Sequence, residues 1–369
     1  MTYTGAKVEL EIEKIPNELE NPEWPLLIAG PCSAESEEQL MDTAQRLKAT
    51  KRISVFRAGI WKPRTRPNSF EGIGVKGLPW MQKVKQETGL RIATEVANAE
   101  HAELALKYGV DILWIGARTS ANPFSVQEIA DALKGVDVAV LIKNPVNPDT
   151  ELWIGALERI NKAGIKKLAA IHRGFSSHEK SVFRNAPMWN IPIELKSACP
   201  ELPIICDPSH ICGNTELIPF ISQKALDMDV DGLMIEAHNN PGCAWSDAKQ
   251  QLTPEQYGEL IFGLLLRSVS MKGEDQTVLS KLREDIDRLD DEIIQKLSLR
   301  MKISDKIGRY KKENSVTILQ MERWKNIVAN RINMGKAMGL SDNFLKQYLD
   351  LIHQESINIQ SNVMNEKQS

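Results

Sequence analysis

The stretch Ile28-Ala29-Gly30-Pro31-Cys32-Ser33-Ala34-Glu35 decides the fold. The apolar run from Pro25 to Ala29 reads as a buried strand, Gly30-Pro31 stops it, and Cys32 follows at once. A strand stopped by such a turn presents its next side chain at its carboxyl end. In α/β barrels that rim carries the chemistry. A lone Cys in a tight turn is ordinarily just a small buried residue. Three later stretches change that reading: Asp207-Pro208-Ser209-His210, Met234-Ile235-Glu236 and Ser246-Asp247. Each places a His or an acid after an apolar run or in its loop. Cys32, His210, Glu236 and Asp247 together make a four-ligand set for a divalent metal.

Outward from this stretch, short apolar runs alternate with amphipathic patterns. The runs are Leu26–Ala29, Ile53–Phe56, Arg91–Thr94, Ile112–Ile115, Val138–Ile142, Leu168–Ile171, Pro203–Cys206 and Gly232–Ile235. Helix patterns lie between them at Ser36–Thr50, Gly77–Thr88, Ala99–Tyr108, Ser125–Leu133, Leu152–Ala163 and Glu216–Met228. Eight strand–helix units over roughly 240 residues predict a (β/α)8 TIM barrel within an α/β fold class. A doubly wound open sheet is the alternative, but no Gly-rich dinucleotide fingerprint follows the first strand. Ahead of the barrel, the alternating Val8-Leu10-Ile12 predicts a short strand capping the domain.

After Pro254 proline disappears, and so do strand-like runs. Leu282, Ile286, Leu289, Ile293 and Leu297 recur at spacings of three and four, and Ile303 and Ile307 continue the seam. That pattern is one long amphipathic helix. Further helices are predicted from about Gln320 to Met338 and from about Asn343 to Ile359, with Ser341 as N-cap. The expected organisation is an extension at 1–25, a barrel at 26–268, a linker at 269–275, an all-α three-helix domain at 276–363 and a tail at 364–369. Three helices with one very long member cannot close a core alone, so a homodimer through the helical domain is expected.

Composition narrows the function classes. The chain has 369 residues and a net charge of −3, which points to neither nucleic acid nor membrane as a partner. No apolar run reaches the ~18 residues of a transmembrane helix, and no signal peptide is expected. The five cysteines (32, 199, 206, 212 and 243) show no framework spacing and read as reduced thiols, so a cytoplasmic location is expected.

Basic residues sit at the carboxyl end of strand after strand: Arg57, then Lys62-Pro63-Arg64-Thr65, Arg118, Lys143 and Arg173. One Arg after a strand is usually a surface charge. Five converging on one rim read as a pocket for phosphate and carboxylate groups, which the Arg fork binds bidentately. The substrate is therefore expected to be polyanionic.

The strings AGPCSAE, FRAGIWKPRT, IATEV, IGART, LIKNP, HRGF, DPSH and MIEAH, with Asp247 beyond, occur in order over about residues 24–265. This stretch resembles the metal-dependent 3-deoxy-D-arabino-heptulosonate 7-phosphate (DAHP) synthases of the compact subtype shared with 3-deoxy-octulosonate 8-phosphate synthases. The resemblance implies condensation of phosphoenolpyruvate with erythrose 4-phosphate. It implies Cys32, His210, Glu236 and Asp247 as ligands of Mn, Fe, Co or Zn. It implies Arg118, Lys143 and Arg173 on phosphoenolpyruvate, with Arg57 and Lys62 near its carboxylate and reacting carbon and Glu95 lining the site. Lys62 is the expected general acid. Arg64 and Thr65 would take the aldose phosphate, and Asp207 its hydroxyls. Octulosonate enzymes, which use arabinose 5-phosphate, tend to carry Asn-Arg in place of Pro-Arg-Thr, so Pro63-Arg64-Thr65 favours erythrose 4-phosphate.

Residues 276–362 resemble the all-helical chorismate mutases, on Leu282-Arg283-Glu284-Asp285-Ile286 and the Ser356…Gln360 pair. The resemblance implies rearrangement of chorismate to prephenate without a cofactor. Lys311 and Gln360 would serve the ether oxygen, Arg300 and Ser356 the carboxylates, Glu322 the ring hydroxyl, and Arg283 would cross from a partner chain. Ile318 stands where an acid often sits, and Met321 where an Arg often sits. The alternatives are a synthase whose helical domain only regulates or dimerises, and an octulosonate-type barrel. Residues 1–24 are too few for a regulatory fold, so feedback is expected through the helical domain.

Overall fold

The computed structural model describes residues 7–17, 25–63, 70–178, 181–267 and 274–366. Every expected apolar run forms a strand: β1 (Leu26–Gly30), β2 (Val55–Arg57), β3 (Arg91–Val96) and β4 (Ile112–Ile115). The others are β5 (Ala139–Lys143), β6 (Leu168–His172), β7 (Ile204–Cys206) and β8 (Gly232–Glu236). All are parallel, and they close in sequence order into a barrel when β1 pairs with both β2 and β8. The closing register sets Leu26 opposite Gly232 and Gly30 opposite Glu236.

The helices of this part are α1 (Glu37–Ala49), α2 (Gly77–Thr88), α3 (Ala99–Lys107), α4 (Pro123–Ala132) and α5 (Thr150–Lys162). They continue with α6 (Asn190–Ala198), α7 (Pro208–Cys212), α8 (Ile218–Asp227) and α9 (Pro254–Gly263). Short polar side chains start many of them: Ser36, Asn98, Asp149 and Asp207 each accept from a backbone N–H of the first turn. Thr253 and Gln256 form a full capping box on α9. The sequence pattern did not reveal α6, α7 and α9. Prolines begin two of them and interrupt the first turn of α6, which the periodicity reads as a break.

Strand residues alternate between two cores. Ile28, Val55, Ala93, Trp114, Leu141, Ile171, Ile205 and Met234 fill the barrel, and Leu27, Phe56, Leu113, Val140 and Leu233 pack under the helices. Ile15 joins the inner cluster and closes the amino end. The expected N-terminal strand does not form. Residues 7–17 run as a strap whose Val8 N–H donates to Ala198 O and whose Glu13 N–H donates to Lys166 O. A closed barrel has no free edge for another strand to join.

The chain divides into two compact units, Met1–Val269 and Ser270–Ser369. The expected linker falls at this division and lies mostly outside the described residues; α10 (Glu274–Glu313) begins two residues ahead of the expected domain start. The second unit also holds α11 (Met321–Ala337) and α12 (Asp342–Asn365), with Ser341 capping α12 through its bond from Phe344 N–H. Gly335 of α11 admits Leu345 of α12 so closely that a Cβ there would stand 2.6 Å from the leucine methyls. Among the described residues Leu345 and Val363 are the buried apolar side chains of this unit, while Leu282, Ile286, Leu289, Ile293, Ile303 and Ile307 remain 42–57% exposed. The seam expected from the sequence is present and uncovered within one chain.

Gly30 bears the close approach of β1 to the end of β2. Its φ is +146°, and a Cβ would stand 2.0 Å from the Arg57 carbonyl oxygen. Gly30→Ala is expected to cost roughly 3 kcal/mol and to lower the thermal midpoint by about 5–10 °C. Gly155→Ala on α5, where nothing stands within 4 Å, is the control and should be neutral or stabilising. Equal midpoints for the two variants in calorimetry would refute this account.

Candidate functional site

The site is built where the strands end. Cys32, directly after the Gly30-Pro31 turn, is fully buried. Its N–H donates to Gln251 Oε1 (2.9 Å) and its thiol donates to Asp247 Oδ2 (3.3 Å). The Lys62 ammonium donates to Cys32 O (3.0 Å) and Sγ (2.7 Å). Burial, with the nearby Glu236 charge, pushes the thiol up to about 12. Asp247 sits in the left-handed region (φ 47°), where a short Asp side chain is tolerated. Arg184 binds its Oδ1 at 2.9 Å.

Glu236 ends β8 and is fully buried. Its Oε2 accepts from Gln250 Nε2 (2.6 Å). Its Oε1 lies 3.4 Å from Arg57 Nη2 and 3.7 Å from His210 Nε2, in ion contact without a hydrogen bond among the described residues. Ser209 Oγ accepts from the Glu236 N–H, tying β8 to α7. His210 Nδ1 stands 2.8 Å from Asp207 Oδ2, off the angle of a hydrogen bond. Asp207 is buried beside Lys143 (2.8 Å) and caps the His210 N–H; the neighbouring cations hold its carboxyl well below the usual range against the effect of burial. Burial holds the His210 imidazole below its usual range.

The cations follow the same rim. Arg57 is 2% exposed; its Nη2 donates to Cys32 O (3.3 Å) and its plane lies 4.6 Å over Trp114. Its Nε and Nη1 have no hydrogen-bond partner among the described residues. Arg173 N–H donates to Asn144 Oδ1 (2.7 Å), and its Nη1 donates to Asn185 Oδ1 (2.8 Å). Burial, with the Arg184 and Arg118 cations nearby, lowers the Arg173 guanidinium to about 10. Glu95 Oε2 accepts from Trp114 Nε1 (3.1 Å), and Gly116 makes room for it: a Cβ there would stand 2.0 Å from Glu95 Oε1.

The structure thus brings together Cys32, Arg57, Lys62, Glu95, Lys143, Arg173, Asp207, His210, Glu236 and Asp247, with Arg118 exposed at the rim. Arg64 and Thr65 lie outside the described residues. The four expected ligands meet as two pairs, Cys32 with Asp247 and His210 with Glu236. Among the described residues no three of them stand close enough to enclose an ion. Their chemistry fits a borderline-soft divalent ion, and buried Glu236 Oε1 keeps an acceptor without a hydrogen bond. The sequence reading missed Arg184, Asn144, Asn185, Gln250 and Gln251, which hold these groups in place. Asn144 follows Lys143 directly and Gln250-Gln251 follow Asp247 closely, so adjacency could have marked them. Arg184 follows no strand and carries no such signal.

In the second unit, α10 packs on α12 with Gly308 against Gln360. Arg300 Nη1 donates to Ser356 Oγ and to Ile352 O (3.3 Å). Lys311 Nζ donates to Ile318 O (2.5 Å), and burial lowers its pKa. Gln360 Nε2 donates to Ser356 O (3.2 Å), while its Oε1 is buried without a partner among the described residues. Glu322 is exposed and pairs with Lys325. Arg283 is exposed and, 17 residues before Arg300, lies roughly 25 Å away along α10.

Comparison with known proteins agrees with both halves. Residues 20–263 match the DAHP synthetase I family and residues 282–361 match chorismate mutase type II. A phospho-2-dehydro-3-deoxyheptonate aldolase of Thermotoga maritima is 34% identical over 235 residues, covering 64% of this chain and 67% of that protein. A 2-dehydro-3-deoxyphosphooctonate aldolase of Bordetella petrii is 28% identical over 256 residues, covering 62% and 84%. The crystal structure of the Thermotoga maritima DAHP synthase superposes with a TM-score of 0.58 at 32% identity, covering 65% of this chain and 68% of that one. Divalent-metal dependence is general in the synthase family. The reactions expected from the sequence stand: condensation of phosphoenolpyruvate with erythrose 4-phosphate, and rearrangement of chorismate to prephenate, both in aromatic amino acid biosynthesis. Barrel and helices together place this chain in the DAHP synthetase I family, with a chorismate mutase type II domain following the barrel in sequence.

Proposed function

We propose that the rim around Cys32 binds and joins phosphoenolpyruvate and erythrose 4-phosphate, and that the α10–α12 cleft binds chorismate. One observation carries the first part: buried Arg57 and Lys143 and half-buried Arg173 converge with Lys62 on the Cys32, His210, Glu236 and Asp247 end of the barrel. Arg118, Lys143 and Arg173 hold the phosphate and carboxylate of phosphoenolpyruvate. Arg57 offers its unpartnered Nε and Nη1 to the carboxylate, and Glu95 lines the same site. Arg64 and Thr65 take the aldose phosphate, and Asp207 stands by its hydroxyls. Cys32, His210, Glu236 and Asp247 would hold Mn, Fe, Co or Zn, which when bound polarises the aldehyde carbonyl. Lys62 gives its proton to the alkoxide that forms as the enol carbon adds to the aldehyde. Water then adds at the phosphoenolpyruvate C2, and the arginines hold the departing phosphate.

In the helical unit Lys311 and Gln360 serve the ether oxygen, Arg300 and Ser356 the carboxylates, and Glu322 the ring hydroxyl. Catalysis is by confinement and charge, with no nucleophile. Arg283 enters from a second copy, and the uncovered seam of α10 supports a homodimer through this unit. The second reading, a helical unit that only regulates or dimerises, is favoured by Ile318 and Met321; mutase assay of the full chain separates the two. We place the protein in the cytoplasm and expect the mutase ligands to feed back on the synthase.

Excess chelator should abolish condensation and leave the mutase intact, and calorimetric titration of Mn or Zn should lose its strong binding isotherm in Cys32→Ala. Full condensation with metal absent by elemental analysis would overturn the metal assignment.

Lys62→Ala should lower condensation kcat by about 10²-fold or more with the mutase rate retained. Arg64→Ala should mainly raise the KM for erythrose 4-phosphate. A rise in the phosphoenolpyruvate KM alone would overturn this division of the pocket.

Ile286→Glu with Ile293→Glu should lower the assembly state in sedimentation and abolish the mutase while condensation persists. An unchanged sedimentation coefficient would count against the seam as the dimer contact.

A further inference from the structure

One side chain in the helical unit has no role in the proposed mutase chemistry and lies within reach of the Arg300 and Lys311 charges. His353 lies three residues before Ser356, and Ser356 lies four before Gln360. Spacings of three and four put all three on one stripe of α12. Two of them, His353 at Nε2 and Gln360 at Oε1, carry a buried polar atom without a partner among the described residues. The imidazole is stacked flat on Trp324 of α11, with ring centroids 3.8 Å apart and planes 9° from parallel. That stack fixes the ring plane, so Nε2 has a set direction. The groups whose charges act on His353 are Arg300 and Lys311 from α10 and Asp350 from its own helix. Arg300 and Lys311 are two of the proposed substrate contacts.

We infer that His353 is a further substrate-binding residue of the mutase cleft, its Nε2–H donating to the chorismate carboxylate that Arg300 and Ser356 hold. The inference rests on the mutase reading. Gln360 is assigned to the ether oxygen and Ser356 to a carboxylate, so the stripe runs from the ether end to the carboxylate end. His353 continues it by roughly 4.5 Å beyond Ser356, at 1.5 Å per residue. Burial and the Arg300 and Lys311 cations hold the imidazole below its usual range. A neutral imidazole carries one N–H, which leaves the tautomer with the proton on Nε2 able to donate. The stack on Trp324 gives a structural role as well, and the test has to separate the two.

The full-length chain is assayed for chorismate rearrangement with two complementary variants. His353→Phe keeps a ring on Trp324 and removes the donor. His353→Gln removes the ring and keeps an N–H near the same place. A carboxylate is bound alike in ground and transition states, so loss of the donor should raise KM and spare kcat. His353→Phe is expected to raise the chorismate KM by about tenfold, as for a lost hydrogen bond to a charged group. His353→Gln should stay within about threefold of wild type. A wild-type KM in His353→Phe overturns the inference, and so does loss in both variants, which assigns His353 to packing. Far-UV circular dichroism of the same preparations checks that the helical unit is folded. A wild type that neither rearranges nor binds chorismate overturns the mutase reading and this inference with it. An active wild type impaired by Arg300→Ala but indifferent to His353→Phe overturns the inference alone.

Discussion

The parallel pairing of β1 with β8 is the constraint on which the barrel depends. It closes the sheet, and its register sets Gly30 opposite Glu236. With that pair fixed, the turn at Gly30-Pro31 delivers Cys32 to the side of the barrel where Glu236 ends β8. The Ala237 N–H donates to Gly30 O, and the Cys32 N–H donates to the Gln251 side chain, so the carboxyl end of the closure is pinned by one backbone bond and one backbone-to-side-chain bond. Residues more than 200 apart in sequence meet there because one strand has no other partner left.

The closure forces charge inward. Arg57, Lys143, Asp207 and Glu236 are all buried, and a buried ion is tolerated only where opposite charge and hydrogen bonds replace water. The rim answers with a chain of contacts: Lys143 to Asp207, Asp207 to His210, His210 to Glu236, Glu236 to Arg57. The balance is incomplete, since Arg57 Nε and Nη1 and Glu236 Oε1 lack hydrogen bonds among the described residues. Unpaired buried groups destabilise a resting fold and are useful to a site that takes up anions and a cation.

The helical unit follows a different rule. Its long helix carries more apolar surface than two shorter helices cover, so its core is unfinished within one chain. The polar groups of its cleft are nevertheless placed. Gly308 lets Gln360 approach α10, and Gly335 lets Leu345 seat α11 on α12. Small residues at two helix contacts, rather than a large core, set the spacing of Arg300, Lys311, Ser356 and Gln360.

Much was legible in the sequence for a physical reason. Buried parallel strands are short unbroken apolar runs, so all eight could be read. The rim cations and the Cys, His and acids each follow a run or lie in the loop after it, so their expected place beyond the strand ends was legible too, and the helix seam follows from a period of three and four. Helices α7 and α9, which begin on proline, and α6, with proline in its first turn, were missed because proline reads as a break, whereas α4 also begins on proline and was read from Ser125 onward. The strand expected at Val8-Leu10-Ile12 failed because alternation predicts a strand only where an edge is free. What only the tertiary structure decided is which distant groups hold one another. Arg184 on Asp247, Gln250 on Glu236 and Trp324 beneath His353 are pairings across loops and helices, and no local pattern encodes them. The sequence by itself determined the elements and the chemistry at their ends; the closure of the barrel and the seating of α12 decided which of those ends share a site.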